Sequence, residues 1–401
     1  MPRGHARTLA QALRGLHDRL AKLPTEGGLS NARQELRWLQ DHAAQIPTRT
    51  SGHNSACPAN SPRSYLHRIR RRNTETSCHP AKMNHSHQPL SMPDILDLRP
   101  HQYRWLRRAV FERVHHRKPL QYILGTQPFG DLIDVLVRSP TLIPRWETEE
   151  WVMQLIRWLN QLSKTSDEQS SNSASSPLRI LDLCTGSGCI ALQLAAGLKT
   201  RSAQIIGVDI APTAYQLALD NLAHNRTCLC NSVSFLLADV LSSDLHLLLK
   251  PHWPINDSAG SGLDIPADMV VVNPPYVSAM EHTTLLPEVG LWEDRRALVP
   301  QTLHPNPGAP HGDNDGLSFY AQLIPQLVRQ GIVRPAGQTA TNTKLLKLTP
   351  DSNLPAIPKL VMETGGNHQT RPIVEYLLQA GFSQVGVWQD LAGHDRVIFG
   401  W

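Results

Sequence analysis

The sequence predicts an α/β protein, a largely parallel sheet with helices on both faces, preceded by a small helical domain. Three observations point there. From residue 178 onward, short β-branched runs alternate with helical segments, the rhythm of consecutive βαβ units. One run, Asp268-Met269-Val270-Val271-Val272-Asn273-Pro274-Pro275-Tyr276, reads as a buried strand closed by two prolines. The first 118 residues carry helical spacing and an excess of base instead: 21 Lys and Arg stand against 8 Asp and Glu up to residue 120, and 18 against 26 after it. A basic front on an acidic body suits a polyanionic partner, a targeting function or simply solvated helix surface.

The chain has 401 residues, 40% of them hydrophobic and 18% charged, which allows two cores and argues against disorder. No apolar run approaches the roughly 20 residues that cross a bilayer, so no membrane partner is expected. Cys57, Cys78, Cys184, Cys189, Cys228 and Cys230 show no disulfide framework and suit a reducing compartment.

In order, residues 1–23 carry Arg3, Arg7, Arg14 and Arg19 against one acid, Asp18, with Leu9, Leu13, Leu16 and Leu20 on one helical face. That is the look of a mitochondrial presequence or of a first domain helix. A second helix is expected over Ser30–Ile46, capped by Ser30 or Asn31, with Ala32, Leu36, Leu39 and Ala43 inward. Residues 47–90 lose periodicity and read as a flexible insertion. Its Cys57, Cys78, His79, His85 and His87 fit no compact metal pattern, so no metal is expected. Helical spacing returns from Met92 to Arg117, completing a helical domain over 1–118. Residues 119–146 alternate with Gly and Pro breaks, and predict a β-hairpin linking that domain to a catalytic one over 147–401.

The stretch Leu142–Glu149 starts a helix through Trp151, Leu155, Ile156 and Leu159. Strands are predicted at 179–183, 205–208, 233–237, 269–272 and 360–363, with a closing hairpin at 384–388 and 396–400. Helices are predicted at 190–198, 212–225, 318–330 and 371–380. Segments near 163–177, 251–266, 300–315 and 335–357, rich in Ser, Pro, Gly and Asn, read as surface insertions.

Two motifs carry chemistry. In the loop Asp182-Leu183-Cys184-Thr185-Gly186-Ser187-Gly188, Gly186 and Gly188 permit a tight bend ahead of a helix N-terminus. The spacing is not G-x-G-x-x-G and the P-loop lysine is missing, which disfavours NAD and ATP. Acids close successive strands: Asp182 to face an amino-acid moiety, Asp209 a ribose diol, Asp239 an adenine amino group. Such a set favours a cationic nucleoside ligand, and S-adenosylmethionine has those features. The second motif, Asn273-Pro274-Pro275-Tyr276, is an acceptor-rich turn at the carboxyl edge of a sheet, where open α/β folds bind ligands. The Asn273 side-chain oxygen and the Pro274 carbonyl suit gripping a planar –NH2, with Tyr276 against its plane.

These residues, with Pro119–Gly125, Leu142–Glu149, Asp315-Gly316-Leu317 and Asp390–Arg396, resemble the protein-(glutamine-N5) methyltransferases of peptide chain release factors, the HemK/PrmC type. The resemblance spans about residues 92–401 apart from insertions. It implies a Rossmann-like class I methyltransferase sheet and S-adenosylmethionine as cofactor, bound by Asp182, Cys184, Thr185, Gly186, Ser187, Gly188, Asp209, Asp239 and Asn273. It implies Asn273, Pro274, Pro275 and Tyr276 as the catalytic residues, and a class I release factor as protein substrate, docked with the helical domain's help. A monomer is expected, working in mitochondria or else in the cytoplasm, without stable nucleic-acid binding. Alternative readings are glutamine methylation of a ribosomal protein, adenine-N6 methylation of nucleic acid, or a silent binding protein on the same fold. Two departures stand out: Cys184 replaces a customary glycine, and Trp146 a customary proline.

Overall fold

The computed structural model describes residues 15, 17–18, 20–21, 28–47, 98–166, 176–253, 267–300, 315–335 and 344–401. The chain forms two compact units, Met1–Leu124 and Gly125–Trp401. Most of the expected presequence helix lies outside the described residues, as do the 47–90 insertion with its Cys and His residues and positions 92–97.

In the first unit, helix α1 (Gly28–Gln45) and helix α2 (Pro100–His115) bury Leu36, Leu39 and Ala43 against Leu106, Ala109 and Val110. Helix α1 begins two residues before the expected cap. Gln102 joins the ends of both helices: it accepts from the Arg99 backbone N–H at 2.8 Å and donates to the Ala44 carbonyl at 2.9 Å. Buried Arg113 forks onto Glu35 with two bonds of 3.0 Å, a geometry that satisfies both ions away from water.

The expected linker over 119–146 is not a segment of its own. Leu120–Leu124 is a short helix, α3, of the first unit, and the chain divides after it rather than at 118. The hairpin β1 (Thr126–Phe129) and β2 (Ile133–Leu136) opens the second unit. It is fastened to helix α6 (Pro212–Asn225), whose Asn225 and Asn221 side chains accept from the Asp134 and Leu136 backbone N–H groups.

The second unit holds an eight-stranded sheet in the order β5-β4-β3-β6-β8-β10-β9-β7. Its members are β3 (Leu178–Leu183), β4 (Ala203–Asp209), β5 (Ser232–Leu237), β6 (Met269–Val272), β7 (Lys344–Leu348), β8 (Leu360–Glu363), β9 (Gln384–Gln389) and β10 (Asp395–Gly400). All neighbours pair in parallel except β10, which runs against both β8 and β9. The reversed strand β10 thus lies third from the β7 edge of an otherwise parallel sheet, the Rossmann-like architecture that was expected.

Strand alternation decides which side chain faces which layer. Leu181, Leu183, Val270, Val272 and Met362 join Leu323, Ile324 and Leu327 of helix α11 (Ser318–Arg329) and Ile373 and Leu377 of helix α12 (Asn367–Gln379) in one core. Helix α4 (Trp146–Ser166) packs on helix α5 (Cys189–Gly197), and Trp158 of α4 meets Phe399 of β10 edge-on at 5.9 Å. Every residue of α5 is buried, which accounts for its apolar composition all round. Short helices α7 (Leu245–Leu249), α8 (Ala279–His282), α9 (Pro287–Gly290) and α10 (Arg295–Leu298) complete the unit.

The segment 335–357 is not wholly a surface insertion: Lys344–Leu348 forms edge strand β7, in parallel register with β9, and Leu354 is buried. Likewise Trp253, at the start of the expected 251–266 insertion, is 1% exposed in the core. Positions 167–175, 254–266, 301–314 and 336–343 lie outside the described residues.

Gly207, inside β4, has no room for a side chain: a Cβ there would sit 2.5 Å from the Phe235 ring and 2.7 Å from Thr185 Oγ1. Gly207→Ala is expected to destabilise the protein by about 1–3 kcal/mol, the cost of overpacking. Phe235→Leu in the same chain should recover part of it, as read by urea denaturation.

Candidate active site

The site lies along one edge of the sheet because the parallel strands end together. Register pairs Leu183 with Val208 and with Val272, and Val272 with Met362. The loops after β3, β4, β5 and β6 and the last residue of β8 therefore converge. A cavity there is lined by Cys184, Gly186, Asp209, Asp239, Asn273 and Pro275 of the expected residues.

The β3–α5 loop is held by its own acids. Asp182, 0% exposed, accepts from Thr185 Oγ1 and from the Ala191 backbone N–H through one oxygen. Its other oxygen is buried without a hydrogen-bond partner. Burial pushes the Asp182 carboxyl up to about 7. Asp182, Thr185, Ser187 and Gly188 stand behind the cavity wall and do not line it. Asp182, expected opposite an amino-acid moiety, is instead taken up in shaping its own loop. Gly188 caps α5 at φ 81°, where a Cβ would come within 2.8 Å of Phe235. Gly186 has φ 56° and open space where a Cβ would point. Cys184 adopts φ 59°, the left-handed region that costs an L side chain about 1–2 kcal/mol.

Asp209 accepts from the Gly186 N–H at 2.8 Å and the Ala211 N–H at 2.9 Å. Burial raises its carboxyl above the usual range. Asp239 accepts from the Leu241 N–H at 2.8 Å. Between them runs an apolar slot of Ile210, Ala214, Val240 and Leu241, closed by Ala297 and Phe319, with Asp294 and Arg296 at its rim. A flat base in the slot, a diol at Asp209 and a positive charge among three acids fit the chemistry of S-adenosylmethionine. Sequence reasoning missed Thr141, Leu142, Asp294, Arg296 and Phe319, which line the cavity from segments far away in the chain.

The turn after β6 is fixed from several sides. Asn273 donates its Nδ2 to Thr148 Oγ1 at 3.2 Å, and no described residue bonds to its Oδ1 or to the Pro274 carbonyl. The Tyr276 hydroxyl donates to Glu363 Oε1 at 3.2 Å. Burial, and then the Glu363 carboxylate beside it, raise this phenol far above its ordinary value. The Tyr276 carbonyl accepts from buried Gln369, which also bonds the Asp315 carbonyl. A Cβ at Gly316 would fall 1.9 Å from that same carbonyl oxygen. The chain then turns away at a capping box, Ser278 with Glu281. Pro274 and Tyr276 brace this turn from outside the cavity lining.

The segments 142–149 and 390–396 belong to this bracing. Arg145 forks onto buried Glu293, one residue before Asp294 of the rim. Arg396 grips Asp390 at 2.9 Å and reaches the Thr364 carbonyl. Trp146, half exposed, is the first residue of α4 and makes no part of the cavity. Among the described residues there is no group of His, Cys, Asp and Glu able to hold a metal, and no helix long and apolar enough to cross a membrane.

Known proteins resemble this chain. The family described as N-6 DNA Methylase matches residues 160–307. A release factor glutamine methyltransferase of Thermodesulfovibrio yellowstonii is 29% identical over 81% of this chain and 89% of its own length. A Schizosaccharomyces pombe protein named "Probable MRF1 mitochondrial N(5)-glutamine methyltransferase" is 30% identical over 70% of this chain and 74% of its own. The mitochondrial MRF1 N(5)-glutamine methyltransferase of Saccharomyces cerevisiae is 35% identical over 49% of this chain and 58% of its own.

The raised Asp182 carboxyl has a consequence for stability. Its folded value near 7 lies above the ordinary carboxyl value of 3.8, so between those two the folded protein binds the extra proton. Stability in this window falls as pH rises, and the loss is complete above about pH 7. In Asp182→Asn that dependence is absent. Urea denaturation of the ligand-free proteins is expected to show wild type losing ground to Asp182→Asn from about pH 4 to about pH 7, with a constant difference beyond.

Proposed function

The chain belongs to the release factor glutamine methyltransferase family, and from that premise we propose how its site methylates the side-chain amide nitrogen of a glutamine in a peptide chain release factor. The observation that carries the reading is the pair of unbonded acceptors, Asn273 Oδ1 and the Pro274 carbonyl, beside a cavity of acids and apolar side chains. The glutamine belongs to the Gly-Gly-Gln loop of the release factor, and the helical unit helps to dock that partner.

An amide nitrogen is a poor nucleophile because its lone pair is delocalised into the carbonyl. No side chain of the site has the basicity to deprotonate it. S-adenosylmethionine supplies, when bound, a methyl group made electrophilic by a sulfonium. Asn273 and Pro274 accept both N–H hydrogens of the glutamine and so aim its nitrogen. Tyr276 packs on the amide plane, and Pro275 stiffens the turn. Alignment of this kind contributes on the order of 7–11 kcal/mol to lowering a barrier. The same acceptors stabilise positive charge as it builds on the nitrogen. The proton leaves to water after transfer. Asp209 and Asp239 hold the nucleoside, while Asp182, Thr185, Ser187 and Gly188 shape the loop, and Cys184 and Gly186 approach the ligand.

The match to the N-6 DNA methylase family supports a second reading, since an exocyclic adenine –NH2 would suit the same two acceptors. Against it, the release factor methyltransferase of T. yellowstonii aligns along 81% of this chain. The names of the two yeast relatives and the arginine-rich amino end favour mitochondria as the place of work.

Incubation with radiolabelled S-adenosylmethionine, a release factor and DNA tests the assignment: label is expected on the Gly-Gly-Gln glutamine and not on adenine. Asn273→Ala should abolish transfer while largely sparing cofactor affinity, and turnover near wild type would sink the clamp. Asp209→Ala should weaken cofactor binding in calorimetry by about 1.5–3 kcal/mol, the range for hydrogen bonds to a charged group.

A further inference from the structure

Glu363, the last residue of β8, is 0% exposed. Three donors converge on its carboxylate. Thr148 Oγ1 and Trp151 Nε1, both on α4, reach Oε2 at 2.7 and 2.8 Å, and the Tyr276 hydroxyl reaches Oε1 at 3.2 Å. Arg396, the cation nearby, gives its own bonds to Asp390.

A hydroxyl has one proton. With Glu363 ionised, Thr148 commits it to that carboxylate, so toward Asn273, at 3.2 Å, it can only accept. The amide of Asn273 therefore turns its NH2 to Thr148 and its carbonyl oxygen to the cavity. The opposite orientation would present two donors to a substrate that itself brings two donors. The amide ends are nearly alike in size, so packing alone does not select between them. The hydrogen-bond chain does.

We propose that Glu363, acting through Thr148, is a positioning residue that fixes the polarity of the Asn273 side chain and, through its second oxygen, the tilt of the Tyr276 ring. One buried carboxylate thus sets both halves of the clamp on the substrate amide. This deepens the function proposed above and rests on Asn273 being an acceptor for that amide.

The test uses the full chain, S-adenosylmethionine and the release factor. Thr148→Val keeps the shape and removes the hydroxyl. It should lower kcat on the order of 10²-fold, as a misaimed reacting group does, with cofactor Kd close to wild type and a melting temperature lowered because buried Glu363 loses one of its three donors. Thr148→Ser restores a hydroxyl and should recover most of kcat. Should the valine variant fail to fold, Thr148→Ala gives the same comparison of kcat with Kd. Wild-type kcat in Thr148→Val, or equal losses in the valine and serine variants accompanied by weaker cofactor binding, would overturn the proposal in favour of a purely architectural network. Asn273→Ala run alongside separates the two levels. If it retains turnover, the clamp itself is wrong; if it abolishes turnover while Thr148→Val does not, only the relay falls.

Discussion

A carboxylate taken wholly out of water must be met by donors or it costs several kcal/mol. Glu363 is met by three, drawn from a helix that precedes the sheet and from the turn that follows β6. The requirement ties α4, β8 and the Asn273–Tyr276 turn into one rigid object. Gln369 and Gly316 complete it on the other flank by pinning the Tyr276 carbonyl. The turn's two prolines cannot donate, so its shape is imposed by neighbours rather than by a hydrogen-bond ladder of its own.

The cofactor side is built on a different logic. Its acids sit at the ends of parallel strands and spend bonds on the backbone of the next loop, as Asp209 does on Gly186 and Ala211. The acid proposed to bind the ribose is therefore also one that shapes the loops. The left-handed backbone at Cys184 is held inside this net. Strain of that kind persists where surroundings over-determine the conformation.

Much of this was legible in the chain because its determinants are local. Triple valine before two prolines, two glycines before a helix and an acid after each strand are short-range patterns, and their elements fell within a few residues of expectation. Strand β7 was not legible. Lys344–Leu348 is flanked by polar, proline-containing sequence and exists by pairing with β9, a tertiary contact. The same holds for Leu120–Leu124, whose alternating residues are wound into a helix. Thr148 and Glu363 lie 215 positions apart in sequence. No spacing rule connects them, so their partnership emerges only from folding. Asp182 shows the converse: its place was read correctly as a strand end, while its bonds go to its own loop.

Cys184 lines the cavity proposed to take the methyl donor, and an ionised thiol would be a far better methyl acceptor than any amide. Burial raises that thiol well above its ordinary value, and the carboxylates of Asp209, Asp182 and Asp239 raise it further. It stays neutral at physiological pH and nucleophilically quiet. Burial and the same negative field thus both disfavour the thiolate in the ligand-free site.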